Sequence, residues 1–76
     1  MIFSLEKSKI DKECIIIDIN NKSNIKERFN DLGFNPGINI KKVLISPFGG
    51  ICAYYILGTT IAIRNKDAKD ILVSYV

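Results

Sequence analysis

Apolar positions in this chain fall into short runs with a period of two, separated by clusters of Gly, Pro, Asn and Ser; one stretch alone keeps a helical period. Residues 2–6 predict a short strand, followed by the polar step Lys7-Ser8-Lys9. Residues 13–19 read ECIIIDI, a strand with Ile15, Ile17 and Ile19 on a uniformly apolar face that should meet the core. After the polar linker at 20–24 the period changes. Ile25, Phe29 and Leu32 recur at i, i+4 and i+7, one face of a helix of about nine residues. Asn24 can cap it with Glu27 three residues on, and Ser23 is an alternative cap. Gly33 sits where a left-handed residue ends a helix at least cost, and Asn35-Pro36-Gly37 suits a type II turn.

Residues 38–46 read INIKKVLIS, whose apolar positions change face midway. A bulge near Lys41-Lys42 would bring Ile38, Ile40, Val43 and Ile45 to one side. Ser46-Pro47-Phe48-Gly49-Gly50 is a loop. Residues 51–57 are apolar on both faces and should be central or covered. A tight turn at Leu57-Gly58-Thr59 leads to a strand over 60–64. Asn65 can cap a helical turn through Lys66, Asp67, Ala68 and Lys69, and residues 71–76 form the last strand. Residues 43–63 carry no charge over 21 positions, enough for a membrane-spanning helix. Pro47, Gly49, Gly50 and Gly58 break the stretch into pieces of strand length, so two hairpins are the better reading.

Fifteen isoleucines, stiff at χ1, favour strands. The chain has 76 residues, 47% of them apolar, which suits a single domain spanning 1–76 and excludes a disordered tail. The expected fold is mostly β, five or six short strands closed into a small barrel, with one inserted helix and a helical turn before the last strand. The net charge of +3 is a mild bias, and acidic residues interleave with the basic ones, so a solvated face is the default reading. The opening MIFSLEKSK has no basic region followed by an apolar stretch; no signal peptide is expected, and a cytoplasmic setting with reduced thiols fits best.

Little here supports catalysis. There is no His, and no GxSxG, GxxxxGK[ST] or GxGxxG motif occurs. Glu6, Asp11 and Glu13 read as solvated carboxylates; Asp67 and Asp70 serve solubility, with Asp67 also placed for the dipole of the helical turn. Cys14 and Cys52 form no CxxC pair and read as small buried hydrophobes rather than metal ligands. Phe34 and Phe48 sit in rigid turns, where an aromatic either anchors a partner or folds back as a lid. Tyr54 and Tyr55 are consecutive and point to opposite faces, so they make no platform for stacked bases.

The run Arg28-Phe29-Asn30-Asp31-Leu32-Gly33-Phe34-Asn35-Pro36-Gly37 resembles the FeoA-family pattern Arg-Leu-x-x-Leu-Gly-Leu-x-Pro-Gly. Ser46-Pro47-Phe48-Gly49-Gly50 is similar to that family's Ala-Pro-Leu-Gly-Asp loop. Ile61-Ala62-Ile63-Arg64 with Asp67-Ala68-Lys69-Asp70-Ile71 resembles its Val-Ala-Leu-Arg segment and closing Glu-Ala-x-x-Ile. The ordered set covers residues 25–73. Phe29, Phe34 and Phe48 stand where Leu is commoner, and the Pro-Gly often found before the second strand is missing around Asp11-Lys12.

The resemblance implies an SH3-like barrel and a cytosolic, non-enzymatic accessory protein of a FeoB-type ferrous iron transporter. It would act on that transporter's GTP-binding cytosolic part and meet the membrane only through it. The same barrel ends diphtheria-toxin-repressor-type iron regulators; without a DNA-binding domain ahead of it here, the stand-alone form is favoured. Carried over by position, Leu32, Gly33, Phe34, Pro47 and Phe48 form or border the docking surface, and Arg28 and Arg64 add polar contacts. Leu32 and Gly33 also read as parts of the helix–turn junction alone. No catalytic residue, metal ligand or cofactor is expected. The competing classes are a nucleic-acid-binding small barrel and a direct sensor of a transition metal ion. Weak self-association is a further expectation, should the apolar 51–57 strand lie at an edge.

Overall fold

The computed structural model describes residues 1–20 and 25–76. Among these residues six strands form one antiparallel sheet: β1 (Phe3–Ser4), β2 (Glu13–Ile19), β3 (Asn39–Ile45), β4 (Ile51–Ile56), β5 (Thr59–Arg64) and β6 (Ile71–Tyr75). Helix α1 (Ile25–Asp31) lies between β2 and β3, and the short α2 (Asn65–Ala68) between β5 and β6. The strand order is β1-β6-β2-β3-β4-β5. The sheet is therefore not closed by pairing. β1 and β5 are its edges, and α2 bridges the gap by touching β5 and a 3-10 turn at Leu5–Lys7. The first predicted strand is thus cut to two residues.

Two bulges set which side chains enter the core. In β2 the register with β6 shifts between Ile16 and Asp18, so Ile17 is the extra residue. Cys14 and Ile16 are buried before the bulge and Ile19 after it, while Ile17 turns outward. Strict alternation placed Ile15 and Ile17 inward; one inserted residue reverses that half of the strand. In β3 the shift falls between Lys42 and Leu44, just beyond the predicted site. Val43 becomes half-buried and Ile45 is exposed, so the bulge does not gather all four apolar residues as expected.

Lys42 fills the inward place instead, at 4% exposure. Its ammonium donates to the backbone carbonyls of Glu6 and Ser8, both at 2.8 Å, and lies 5.9 Å from the centre of the Tyr54 ring. A buried lysine is tolerated when its donors are met. Lys42 thereby departs from the solvated face assigned to the basic residues and ties the 3-10 turn to β3.

β4 lies inside the sheet between β3 and β5. Cys52, Tyr54 and Ile56 point into the core, while Ile51 and Tyr55 stay exposed on the other face. The β4–β5 turn has two central residues, Leu57 and Gly58, both in the left-handed region at φ 50 and 76. That geometry matches the twist of the flanking strands. Asn65 is the first residue of α2 rather than its cap, which is Arg64. The predicted caps of α1, Asn24 with Glu27 or Ser23 instead, fall on positions 23 and 24, outside the described residues.

Candidate functional site

Helix α1 buries Ile25 and Phe29 and stops at Asp31. Gly33, at φ +85, reverses the chain: its N–H bonds the Asn30 carbonyl at 3.1 Å and the Phe34 N–H bonds the Phe29 carbonyl at 2.8 Å. These are the paired bonds of a Schellman stop, which brings the residue after the glycine back onto the last turn. Accordingly Phe34 is buried and meets Phe29 edge-on, ring centres 5.5 Å apart. Its side chain is a lid on the core. Leu32 is driven the other way and is 58% exposed, because the helix ends before its third apolar position can reach the core. The turn after it is type II, with Ile38 N–H on the Asn35 carbonyl at 3.2 Å and Gly37 at φ +95.

Between α1 and the β5 edge of the sheet runs a groove of about 290 Å³. One wall carries Arg28, Phe29 and Leu32; the other is the run Ile61, Ala62, Ile63 and Arg64 of β5. Ile51 and Asp67 close its end, where Ile51 pairs with Arg64 and the Arg64 guanidinium lies 3.7 Å from the Asp67 carboxylate. Three of the proposed contact residues, Arg28, Leu32 and Arg64, thus share one site.

Pro47 and Phe48 lie outside that groove on the β3–β4 loop. The loop is held by Gly49 N–H on the Ser46 carbonyl at 3.0 Å, and the Gly50 carbonyl accepts from Asn65 N–H at 2.8 Å. The second bond fixes the loop beside α2, close to Arg64. Phe48 is 98% exposed and does not fold back. Gly33 and Phe34 shape the junction that presents Leu32. Ile51, Ile61 and Asp67 were not assigned to the site from the sequence, where Asp67 had only a solubility and helix-dipole role: Ile51 and Ile61 look like any strand residue until the edge position of β5 is known.

The two thiols have different hydrogen-bond partners. Cys14 donates toward the Lys12 carbonyl at 3.7 Å and Cys52 toward the Asn65 carboxamide oxygen at 3.5 Å; both are buried and free. Burial pushes the Cys14 thiol above its ordinary pKa, Lys42 partly opposing and Glu13 adding to the rise. Tyr54 is fully buried, and its hydroxyl meets no hydrogen-bond partner among the described residues. Burial raises its pKa strongly, with Cys52 the next cause. Among the described residues no three His, Cys, Asp or Glu side chains gather around a common point. None of the helices among them is long and apolar enough to cross a membrane.

The sequence model of the FeoA domain matches residues 3–75. The chain belongs to the FeoA family. That family supplies accessory proteins of ferrous iron transport and is not known as a family of enzymes. An NMR structure of a FeoA-like protein from Clostridium acetobutylicum aligns at a TM-score of 0.90 with 27% identity, covering 99% of this chain and 87% of that one. A crystal structure of Stenotrophomonas maltophilia FeoA complexed with zinc, described as a prokaryotic SH3 domain protein, aligns at 0.82 with 21% identity over 95% and 89% of the two chains. A manganese-dependent transcriptional repressor shares the fold at 0.88 with 16% identity, over 99% of this chain and 37% of the repressor. A comparison with curated proteins finds no match. The fold of this chain is therefore the SH3-like domain that the family resemblance implied, left open between β1 and β5.

Proposed function

We propose that this FeoA-family chain is a cytosolic adaptor that docks on the GTP-binding cytosolic part of a FeoB-type ferrous iron transporter. Catalysis has no part in this reading. Its docking face is the groove of Arg28, Leu32 and Arg64 together with the neighbouring Pro47-Phe48 loop, while Gly33 and Phe34 hold that face in shape. One observation carries the reading: an almost fully exposed phenylalanine on a hydrogen-bonded loop beside an apolar groove flanked by two arginines. Exposed aromatics on rigid backbone bind with little ordering cost, and arginine is enriched at interfaces. The test is titration of the isotope-labelled chain with the isolated GTP-binding domain, with and without nucleotide. Shifts concentrated at Leu32, Phe48 and Arg64 are expected. Absence of shifts at high partner concentration overturns the reading.

A further inference from the structure

We propose that the free edge of β5 takes up an extended, acidic segment of a partner protein as a seventh strand. The inference deepens the docking reading and rests on it for the partner, but the pairing itself is testable without that partner.

Among the described residues β5 stands last in the strand order and pairs only with β4. Its hairpin closes with Ile56 opposite Thr59 across a two-residue turn. Backbone groups alternate along an antiparallel strand, so Thr59, Ile61 and Ile63 bond to β4 while Thr60 and Ala62 point their N–H and C=O outward. Edges are normally blunted by Pro, Lys or a bulge. This one has none: Thr59 to Ile63 carry no charge and no proline, and six consecutive pairs with β4 run without a register shift.

The groove follows that edge. Its β5 wall is made by four consecutive residues, Ile61 to Arg64. Side chains on successive strand positions point to opposite faces, so a groove touching all four runs along the backbone edge and not over one face. A helix facing a free strand edge is the arrangement in which peptides add to a sheet, main-chain bonds giving affinity and alternate side chains entering the cleft.

Charge selects the occupant. Arg28 is exposed on the helical wall, with no ion pair among the described residues, and Arg64, itself 60% exposed, ends the strand. Asp67 balances only one of these two cations. An acidic segment is matched by that surplus, whereas a second copy of the same edge would bring two further arginines to it.

The probe is a terminally blocked hexapeptide alternating Val and Glu, titrated into the isotope-labelled chain beside its Val/Lys counterpart. Slowed amide exchange at Thr60 and Ala62 is expected, with the Lys peptide about tenfold weaker. Ala62→Pro removes an outward N–H and no ladder bond, a substitution edge strands accept, and should abolish binding; Ala62→Ser should keep it. Arg28→Glu, which leaves the strand untouched, should weaken the Glu peptide about tenfold. Equal binding of the two peptides, binding without protection of Thr60 and Ala62, or no binding at millimolar peptide overturns the proposal. So does dimerisation of the free chain through β5. Binding of the transporter's GTP-binding domain that survives Ala62→Pro sinks the strand pairing and leaves the docking reading. Pairing of the peptide without binding of that domain does the reverse.

Discussion

Two phenylalanines in similar glycine-rich turns should respond to truncation in opposite ways. Phe34 is 4% exposed and Phe48 is 98% exposed. Removing a buried phenylalanine costs about 3–5 kcal/mol, of which an edge-on aromatic pair such as Phe29–Phe34 contributes about 1 kcal/mol. Domains of this length are stable by only about 4–11 kcal/mol. Phe34→Ala should therefore remove a large share of the stability, lowering the urea midpoint by roughly 2–4 M and the melting temperature by roughly 15–30 °C. Phe48→Ala should stay within about 0.5 kcal/mol of the parent, since its side chain leaves nothing unfilled. Urea unfolding followed by circular dichroism measures both. The same proteins, titrated with the transporter's GTP-binding domain where each is folded, should show Phe48→Ala about tenfold weaker and Phe34→Ala weakened less, since Phe34 shapes the junction that presents Leu32 without itself lying on the surface. A loss below about 1 kcal/mol for Phe34→Ala, or equal losses for the two, would refute the assignment of one ring to the core and the other to the surface.

Lys42→Met keeps the apolar stem but orphans the Glu6 and Ser8 carbonyls; a loss of about 2–4 kcal/mol by urea unfolding is expected, with faster amide exchange in the 3-10 turn. Tyr54→Phe deletes a hydroxyl that has no partner among the described residues, so stability at pH 7 should be unchanged or higher by up to about 1 kcal/mol. The raised pKa values of Cys14 and Tyr54 mean that the native state holds these protons more tightly than the unfolded chain. Their contribution is complete below the ordinary thiol value of 9.0 and is lost as pH climbs through the raised native values. Urea midpoints at pH 7 and 10 should show that loss, and a combined Cys14→Ala, Tyr54→Phe variant should flatten it. Leu57→Asn relieves about 1 kcal/mol of strain at a left-handed Leu with φ 50 and should raise the melting temperature, read by circular dichroism, by several degrees.

Turn chemistry was the most legible part of this sequence. Pro36-Gly37, Gly33 and Gly58 each specify a local conformation, and each is found where the residue types require it, whereas Leu57 is left-handed against its type. Strand existence was equally plain from β-branched runs. Facing was not, because one bulge at Ile17 and another at Val43 invert half a strand each, and nothing local in ECIIIDI distinguishes the extra residue from its neighbours. Lys42 shows the same limit: a lysine among lysines becomes a buried tie only through carbonyls 34 and 36 residues away. At the candidate site, Leu32 and Phe34 flank one glycine, yet the helix stop sends them to opposite sides. The groove was invisible because it depends on which strand ends the sheet, a property of strand order and not of any segment.

The seam between β1 and β6 bears on the order in which the molecule assembles. Phe3 pairs with Val73, the Ser4 hydroxyl donates to the Lys69 carbonyl across 65 residues, and the Lys9 N–H donates to the Tyr75 hydroxyl across 66. Closing so long a loop before the intervening strands exist gains only a few bonds for nearly the full entropy of the chain. The β3–β4–β5 meander, linked by short turns, is the natural nucleus, and β1 with its 3-10 turn docks last. Run backwards, the same order makes the seam the first part of the sheet to open. Amides around Phe3 and Ser4 should then exchange through a local detachment while those of Cys52 and Tyr54 wait for global unfolding.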